Sequence, residues 1–310
     1  MNAFVPTTQP MGNARPTDPR PLTLHRDLLL ATDASPAASA ATRVAAALAA
    51  RWSTTPHVCT VIPSPATAID PIGMTLAYAP SIAEEMQDAV SDQLASCCID
   101  SSGWSRETAA GAPASEIVRI ADARGADLIV LGLRPHAFID RMFRDETALS
   151  VMRHASMPVL AVTPLLTRLP RRIAVAIDFS RASIAAARAA LTLLDDGGSL
   201  MLVYVEPPGE PTSSAAEGFT TIYTQGVAAA FVRLRSELAS RSAARIETVV
   251  LRGGVAAELQ SFAHRAEVDL LAVGSQRHSI ARQAVVGCVT SALARAAATS
   301  LFVIPPGRRA

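Results

Sequence analysis

A domain-sized internal repeat constrains this chain more than any other feature of its sequence. Arg26-Asp-Leu-Leu-Leu-Ala-Thr-Asp33-Ala-Ser35 recurs as Arg172-Ile-Ala-Val-Ala-Ile-Asp178-Phe-Ser180. Each is a short apolar run that ends in an aspartate and is followed by a serine able to cap a helix. Alanine-rich segments come next, Pro36 to Arg51 and Arg181 to Leu194, and read as helices, with a proline where the first of them begins. The correspondence continues through second strands, His57 to Pro63 and Ser199 to Pro207, and second helices, Ser81 to Ser96 and Gln225 to Ser240.

Gly111-Ala-Pro113-Ala-Ser-Glu116-Ile117 then matches Gly254-Val-Ala-Ala-Glu258-Leu259, each ending a strand and opening a helix. Ala126-Asp127-Leu-Ile-Val-Leu-Gly132 matches Val268-Asp269-Leu-Leu-Ala-Val-Gly274, and Met157-Pro-Val-Leu-Ala-Val162 matches Ser300-Leu-Phe-Val-Ile304. The order β-α-β-α-β-α-β-α-β in each half predicts an α/β fold: two open, five-stranded, mainly parallel sheets with helices on both faces, Rossmann-like. Residues 26–165 form the first expected domain and 171–306 the second, with a break around Pro164 to Arg171. A repeat of this length rules out a short-period solenoid. The last strand of each half, Val159 to Val162 and Leu301 to Ile304, is apolar and would end its sheet, so the halves are expected to pair there as a pseudo-dimer.

Bulk composition narrows the function. With 28 basic and 27 acidic residues among 310, charge gives no reason to expect nucleic acid or an anionic membrane as partner. Half the residues are apolar, enough for substantial cores, but Arg, Asp or Pro interrupts every run before bilayer-spanning length. Residues 1–25 hold Pro6, Pro10, Pro16, Pro19 and Pro21, lack a signal-peptide pattern and read as a flexible leader, so the cytoplasm is the expected location. Cys59, Cys97, Cys98 and Cys288 have neither zinc-site spacing nor disulfide density and read as reduced thiols. His136, His154, His264 and His278 are scattered, without the i, i+4 pairing of a metal site, and read as solvated or capping.

In an open parallel sheet, ligands bind beyond the carboxyl ends of the strands where strand order reverses. Asp33 and Asp178, Gly132 and Gly274 fall at those ends. In the second copy, Gly274-Ser-Gln-Arg277 leads through a loop to Gly287-Cys288-Val289-Thr290 and an alanine-rich helix. Small residues at a helix N-terminus present free N–H groups and the positive dipole end to an anion. Asp33 reads equally well as a helix cap, and Gly111 and Gly254 as turn residues.

On these residues the chain resembles the universal stress protein family, whose ATP-binding members carry a strand-end Gly, two residues, a Gly, nine residues, then Gly and Ser or Thr. The resemblance runs from Arg26 to Pro305 in two copies and implies an adenine nucleotide alpha hydrolase-like fold. Carried onto the second copy, it places Asp178 and Val205 by an adenine, Gly274 by the ribose, and Gly287, Cys288 and Val289 by the phosphates of ATP, with Mg2+ as a companion ion. Arg277 replaces the second Gly and supplies a guanidinium able to pair with phosphate; Cys288 replaces the hydroxyl residue. In the first copy Gly132 remains, but Pro135 stands at the second Gly, Asp145 at the third and Glu146 at the Ser or Thr position, so two carboxylates would face a phosphate and the site should be degenerate.

There is no Gly-x-Ser-x-Gly elbow, Walker loop or kinase signature, and any ATP hydrolysis is expected to be slow and incidental. The expectation is an ATP-binding regulatory or stress-response factor with its nucleotide in the second half. A family member that acts through interaction alone is the alternative, and an adenylating enzyme the third. The resemblance leaves room for a further homodimer.

Overall fold

The computed structural model describes residues 27–63, 79–97, 100–134, 145–206, 214–275 and 288–305. The expected leader, with Pro135, Arg277 and Gly287, lies outside them. In the N-terminal half the strands are β1 (Leu28–Ala31), β2 (His57–Pro63), β3 (Ser105–Gly111), β4 (Leu128–Gly132) and β5 (Val159–Val162). The helices are α1 (Ser39–Trp52), α2 (Ala79–Ser96), α3 (Pro113–Arg124) and α4 (Asp145–His154). The C-terminal half repeats the order with β6 (Arg172–Ala176), α5 (Arg181–Leu193), β7 (Ser199–Glu206), α6 (Ser214–Ala239), β8 (Arg245–Arg252), α7 (Val255–Arg265), β9 (Leu270–Gly274), α8 (Cys288–Ala296) and β10 (Ser300–Ile304).

All ten strands join one sheet in the order β3-β2-β1-β4-β5-β10-β9-β6-β7-β8. Pairing is parallel within each half, and β5 meets β10 antiparallel, with Leu160 opposite Phe302. The expected edge-to-edge pseudo-dimer is therefore present inside one chain. An antiparallel seam between two parallel halves has a geometric consequence: the carboxyl ends of the two strand sets face opposite ends of the sheet.

Strand residues alternate between two apolar layers, as a sheet buried on both faces requires. Leu28, Leu30, Leu160 and Phe302 pack beneath α1, α2, α5 and α6, whereas Leu29, Ala161, Leu301 and Val303 pack beneath α3, α4, α7 and α8. Both layers cross the seam, so the halves share one core on each face. Ser300 reinforces the junction: its buried Oγ accepts the Thr163 backbone N–H at 3.0 Å and lies 3.1 Å from the Thr163 hydroxyl.

Local chemistry sets the helix boundaries. The Ser180 hydroxyl caps α5 by accepting the Ser183 N–H at 3.2 Å. α3 opens on Pro113 and closes on Gly125, which takes the left-handed conformation at φ 66°. Three expectations are corrected. The first helix opens with a 3-10 turn, Pro36–Ala38, before α1 proper, because Ser35 makes no side-chain cap to order a full α turn. α6 begins at Ser214 rather than Gln225, running through Gly218 and Gly226, poor helix formers that hide it in the sequence. The counterpart of Gly111 is Gly253, not Gly254. Gly111 and Gly253 share positive φ, 147° and 141°, and at each a Cβ would crowd the glutamate of the following helix, Glu116 at 3.1 Å and Glu258 at 2.8 Å. Gly254 is the N-cap of α7, matching Ala112 before α3.

Candidate functional site

Strand order reverses between β1 and β4 in the first half and between β6 and β9 in the second. Asp33 and Gly132 flank the first crevice, Asp178 and Gly274 the second. Both aspartates form the same turn. The Asp33 carboxylate accepts the Ser35 N–H at 3.0 Å and the Asp178 carboxylate accepts the Ser180 N–H at 2.9 Å. Between them, Ala34 and Phe179 are forced to positive φ, 56° and 59°. Burial pushes the Asp178 carboxyl up, but hydrogen bonds from Ser180 and Ser183 outweigh it and hold the acid below its ordinary value. An ionised acceptor is thus fixed at the mouth of the second crevice.

The two crevices then diverge. In the first half the Arg134 guanidinium, just past the end of β4, donates to the Ser35 hydroxyl at 2.5 Å and lies 3.9 Å from the Asp33 carboxylate. It spans the crevice between the two strand ends. Beneath it the buried Gln93 side chain donates its amide N–H to the Ser35 carbonyl at 2.8 Å, and its Oε1 accepts the Thr32 hydroxyl at 2.7 Å and the Thr42 hydroxyl at 3.3 Å. A satisfied polar network of this kind rigidifies the turn. In the second half the corresponding volume is aromatic: Phe179 lies 5.1 Å from Phe231, edge to face, and 5.7 Å from Tyr204.

The glycines differ as well. A Cβ on Gly274 would stand 2.3 Å from the Ala182 carbonyl carbon and 2.5 Å from the Ser183 nitrogen, so α5 rests directly on the end of β9. A Cβ on Gly132 would meet Ala38 at 3.5 Å, an ordinary contact. Close helix packing therefore accounts for Gly274 by itself, and only its backbone edge is left to face a ligand.

Helix starts complete the contrast. Asp145 and Glu146 are the first two residues of α4. α8 starts at Cys288 and carries no acid in its first turn. Val289 packs against the core and Val205 is buried in it, so each has only its backbone to offer a ligand. The second crevice therefore brings together an ionised strand-end carboxylate, backbone edges at Val205 and Gly274, and a helix N-terminus without a carboxylate. Among the described residues no group of three His, Cys, Asp or Glu is placed to hold a metal ion.

Sequence reasoning missed Arg134, Gln93 and His57. Arg134 and Gln93 act across 99 and 58 residues of chain on the Ser35 turn, with no local signal beyond a lone charge and a polar residue on an apolar helix face. In the sequence His57 signals only the start of a strand. Its ring is buried, with Nδ1 2.6 Å from the Ser105 hydroxyl and Nε2 3.3 Å from the Glu107 carboxylate but outside hydrogen-bonding geometry. Burial, aided by Arg124, pushes its pKa below the ordinary histidine value against the opposing pull of Glu107. Of the other histidines, His154 sits 2.8 Å from the Ser150 carbonyl within its own helix. Cys59 is buried and its thiol pushed up to about 12 by burial, and Cys97 lies 3.8 Å from the Ser39 carbonyl, so both are packing thiols.

A model of the universal stress protein family matches residues 25–163 and again residues 170–305. No curated protein sequence matches the chain. Among solved structures, a universal stress protein from Archaeoglobus fulgidus DSM 4304 is similar with a TM-score of 0.63 at 18% identity, covering 91% of this chain and 98% of that one. A protein of unknown function from Pseudomonas aeruginosa PAO1 is similar at 0.56 and 14% identity, covering 92% and 94% respectively. At such identities the likeness establishes the fold. With one family model matched twice and an α/β sheet built from two copies of one topology, this chain belongs to the universal stress protein family as a tandem, two-repeat member.

Proposed function

We propose that this tandem universal stress protein is an ATP-binding regulatory or stress-response factor of the cytoplasm that holds one nucleotide in its C-terminal half. The observation that carries the reading is the difference between the two helix starts: α4 begins with two carboxylates, whereas α8 has none in its first turn. Phosphate at the first would meet like charge, and at the second an uncompensated dipole end. Asp178 and the Val205 backbone would border the adenine, and the Gly274 backbone the ribose. Gly287, Cys288 and Val289 would offer N–H groups to the phosphates, Arg277 a guanidinium, and Mg2+ would accompany the triphosphate. The chain is not read as an enzyme; any hydrolysis is incidental.

Arg134, spanning the first crevice, favours a second role for the N-terminal half as an interaction module that needs no nucleotide. Among the described residues no helix is long and apolar enough to cross a membrane.

Denaturing the purified chain and analysing the released small molecules tests the reading, together with an equilibrium ATP titration of the emptied protein. Adenine nucleotide in the eluate, or saturable ATP binding, is expected. A chain that binds no ATP at millimolar concentration is an interaction protein in both halves.

A further inference from the structure

At the other end of the C-terminal half's sheet, where β6, β7, β8 and β9 begin, lies a cavity of about 330 Å3. Arg168, Arg171, Arg172 and Arg245 line it, together with Glu247 and Asp269. The carboxylates are already engaged. Glu247 lies 2.7 Å from Arg245, and one Asp269 oxygen accepts the backbone N–H groups of both Arg171 and Arg172 at 2.8 Å. Arg172 pairs with Glu267 at 2.9 Å, and nearby Asp196 is held by Arg51 from the other half. Arg168 and Arg171 are left as exposed guanidinium groups with no carboxylate partner among the described residues. The turn at Gly197 brings backbone to the same cavity, and a Cβ there would meet nothing within 4 Å.

This arrangement is not part of the repeat. Strand register puts Asp27 where the C-terminal half has Arg172, and Gly103 where it has Arg245. The N-terminal half therefore has no arginine at the positions of Arg172 and Arg245, although Arg26 stands at that of Arg171. Arg168 and Arg171 also belong to the segment that joins β5 to β6, so a ligand between them would fasten the connection between halves to the sheet of the second.

We propose that this cleft binds a small phosphorylated anion, a phosphate monoester or pyrophosphate, gripped by Arg168 and Arg171. Guanidinium forks match phosphate oxygens in pairs, and a cleft lined by four arginines suits a compact dianion better than an apolar ligand. The site is separate from the nucleotide crevice and does not depend on it.

Calorimetric titration of the full chain with inorganic pyrophosphate at low ionic strength tests the proposal. Saturable binding is expected, weakened about ten-fold or more in R168A/R171A, retained in G287D, and tightened in E247Q, which removes a negative charge from the cleft. Because Arg168 and Arg171 are exposed, the double variant should keep its fold, and an unchanged urea midpoint for that variant would verify this. Wild-type protein without saturable pyrophosphate binding would overturn the proposal. So would R168A/R171A binding like wild type, or loss of binding in G287D alone, which would move the anion to the nucleotide crevice.

Discussion

The two halves share one topology and one turn chemistry, yet their crevices are built in opposite senses. In the first, Arg134 lies over Ser35 and Asp33, Gln93 braces the turn from below, and α4 opens on acids. In the second, the turn rests on aromatic side chains, α5 presses onto Gly274, and α8 opens without a carboxylate. Duplication thus leaves one copy free to fill its own crevice with side chains while the other keeps a backbone-lined one. The contrast can be broken or sharpened by substitution, beginning with the seam that both halves share.

Phe302 is fully buried where β10 meets β5, and its removal should leave a cavity felt on both sides. F302A is expected to cost about 3 to 5 kcal/mol in urea denaturation, with both halves losing stability together. Loss confined to the C-terminal half would mean that the shared core is less continuous than its packing indicates.

The glycines separate the halves directly. G274A should cost about 3 kcal/mol, because a methyl group cannot fit against the Ala182 backbone without moving α5, whereas G132A should cost less than about 1 kcal/mol. Equal effects would remove close helix packing as the reason for Gly274. Next in size, Q93L removes the acceptor of the buried Thr32 hydroxyl and leaves the Ser35 carbonyl with only the Ala38 N–H, and is expected to cost about 2 kcal/mol. It should also loosen the Ser35 turn, measurable as faster amide exchange there.

Much of this was legible in advance, and the reason differs by feature. The repeated apolar strands ending in Asp33 and Asp178, the alanine-rich helices and the apolar last strands are local patterns, and each leads to an element or to the seam. Gly253 and Gly254 offer two alignments in the sequence, and only the positive φ above Glu258 picks one. Arg134, Gln93 and the crowding at Gly274 depend on contacts between segments distant in sequence, for which periodicity carries no signal. Asp145 and Glu146 stood out because charge at a helix start can be read from spacing alone.

The smallest effect concerns pH. His57 is the one buried histidine among the described residues and lies in the first half, where the register puts Met201 in the second, so a response to mild acid through a buried histidine should come from the first half. Its folded pKa is below the unfolded value of 6.5, so the unfolded chain takes up the proton first. The stability it confers is complete above that value and is lost as pH falls through the folded pKa. H57Q should flatten the acid limb of the stability profile; an unchanged limb would assign the sensitivity to other groups.

The central claim, that one crevice of the pair is the working nucleotide site, is tested most directly by counting ATP sites calorimetrically in the wild type, G287D and D145G. One ATP per chain is expected, abolished by G287D, which adds a carboxylate beside the first turn of α8, and little changed by D145G, since Pro135, Glu146 and Arg134 remain. Two equivalent sites, or binding that survives G287D and disappears when Asp33 is replaced, would contradict the account and place the nucleotide in the first half.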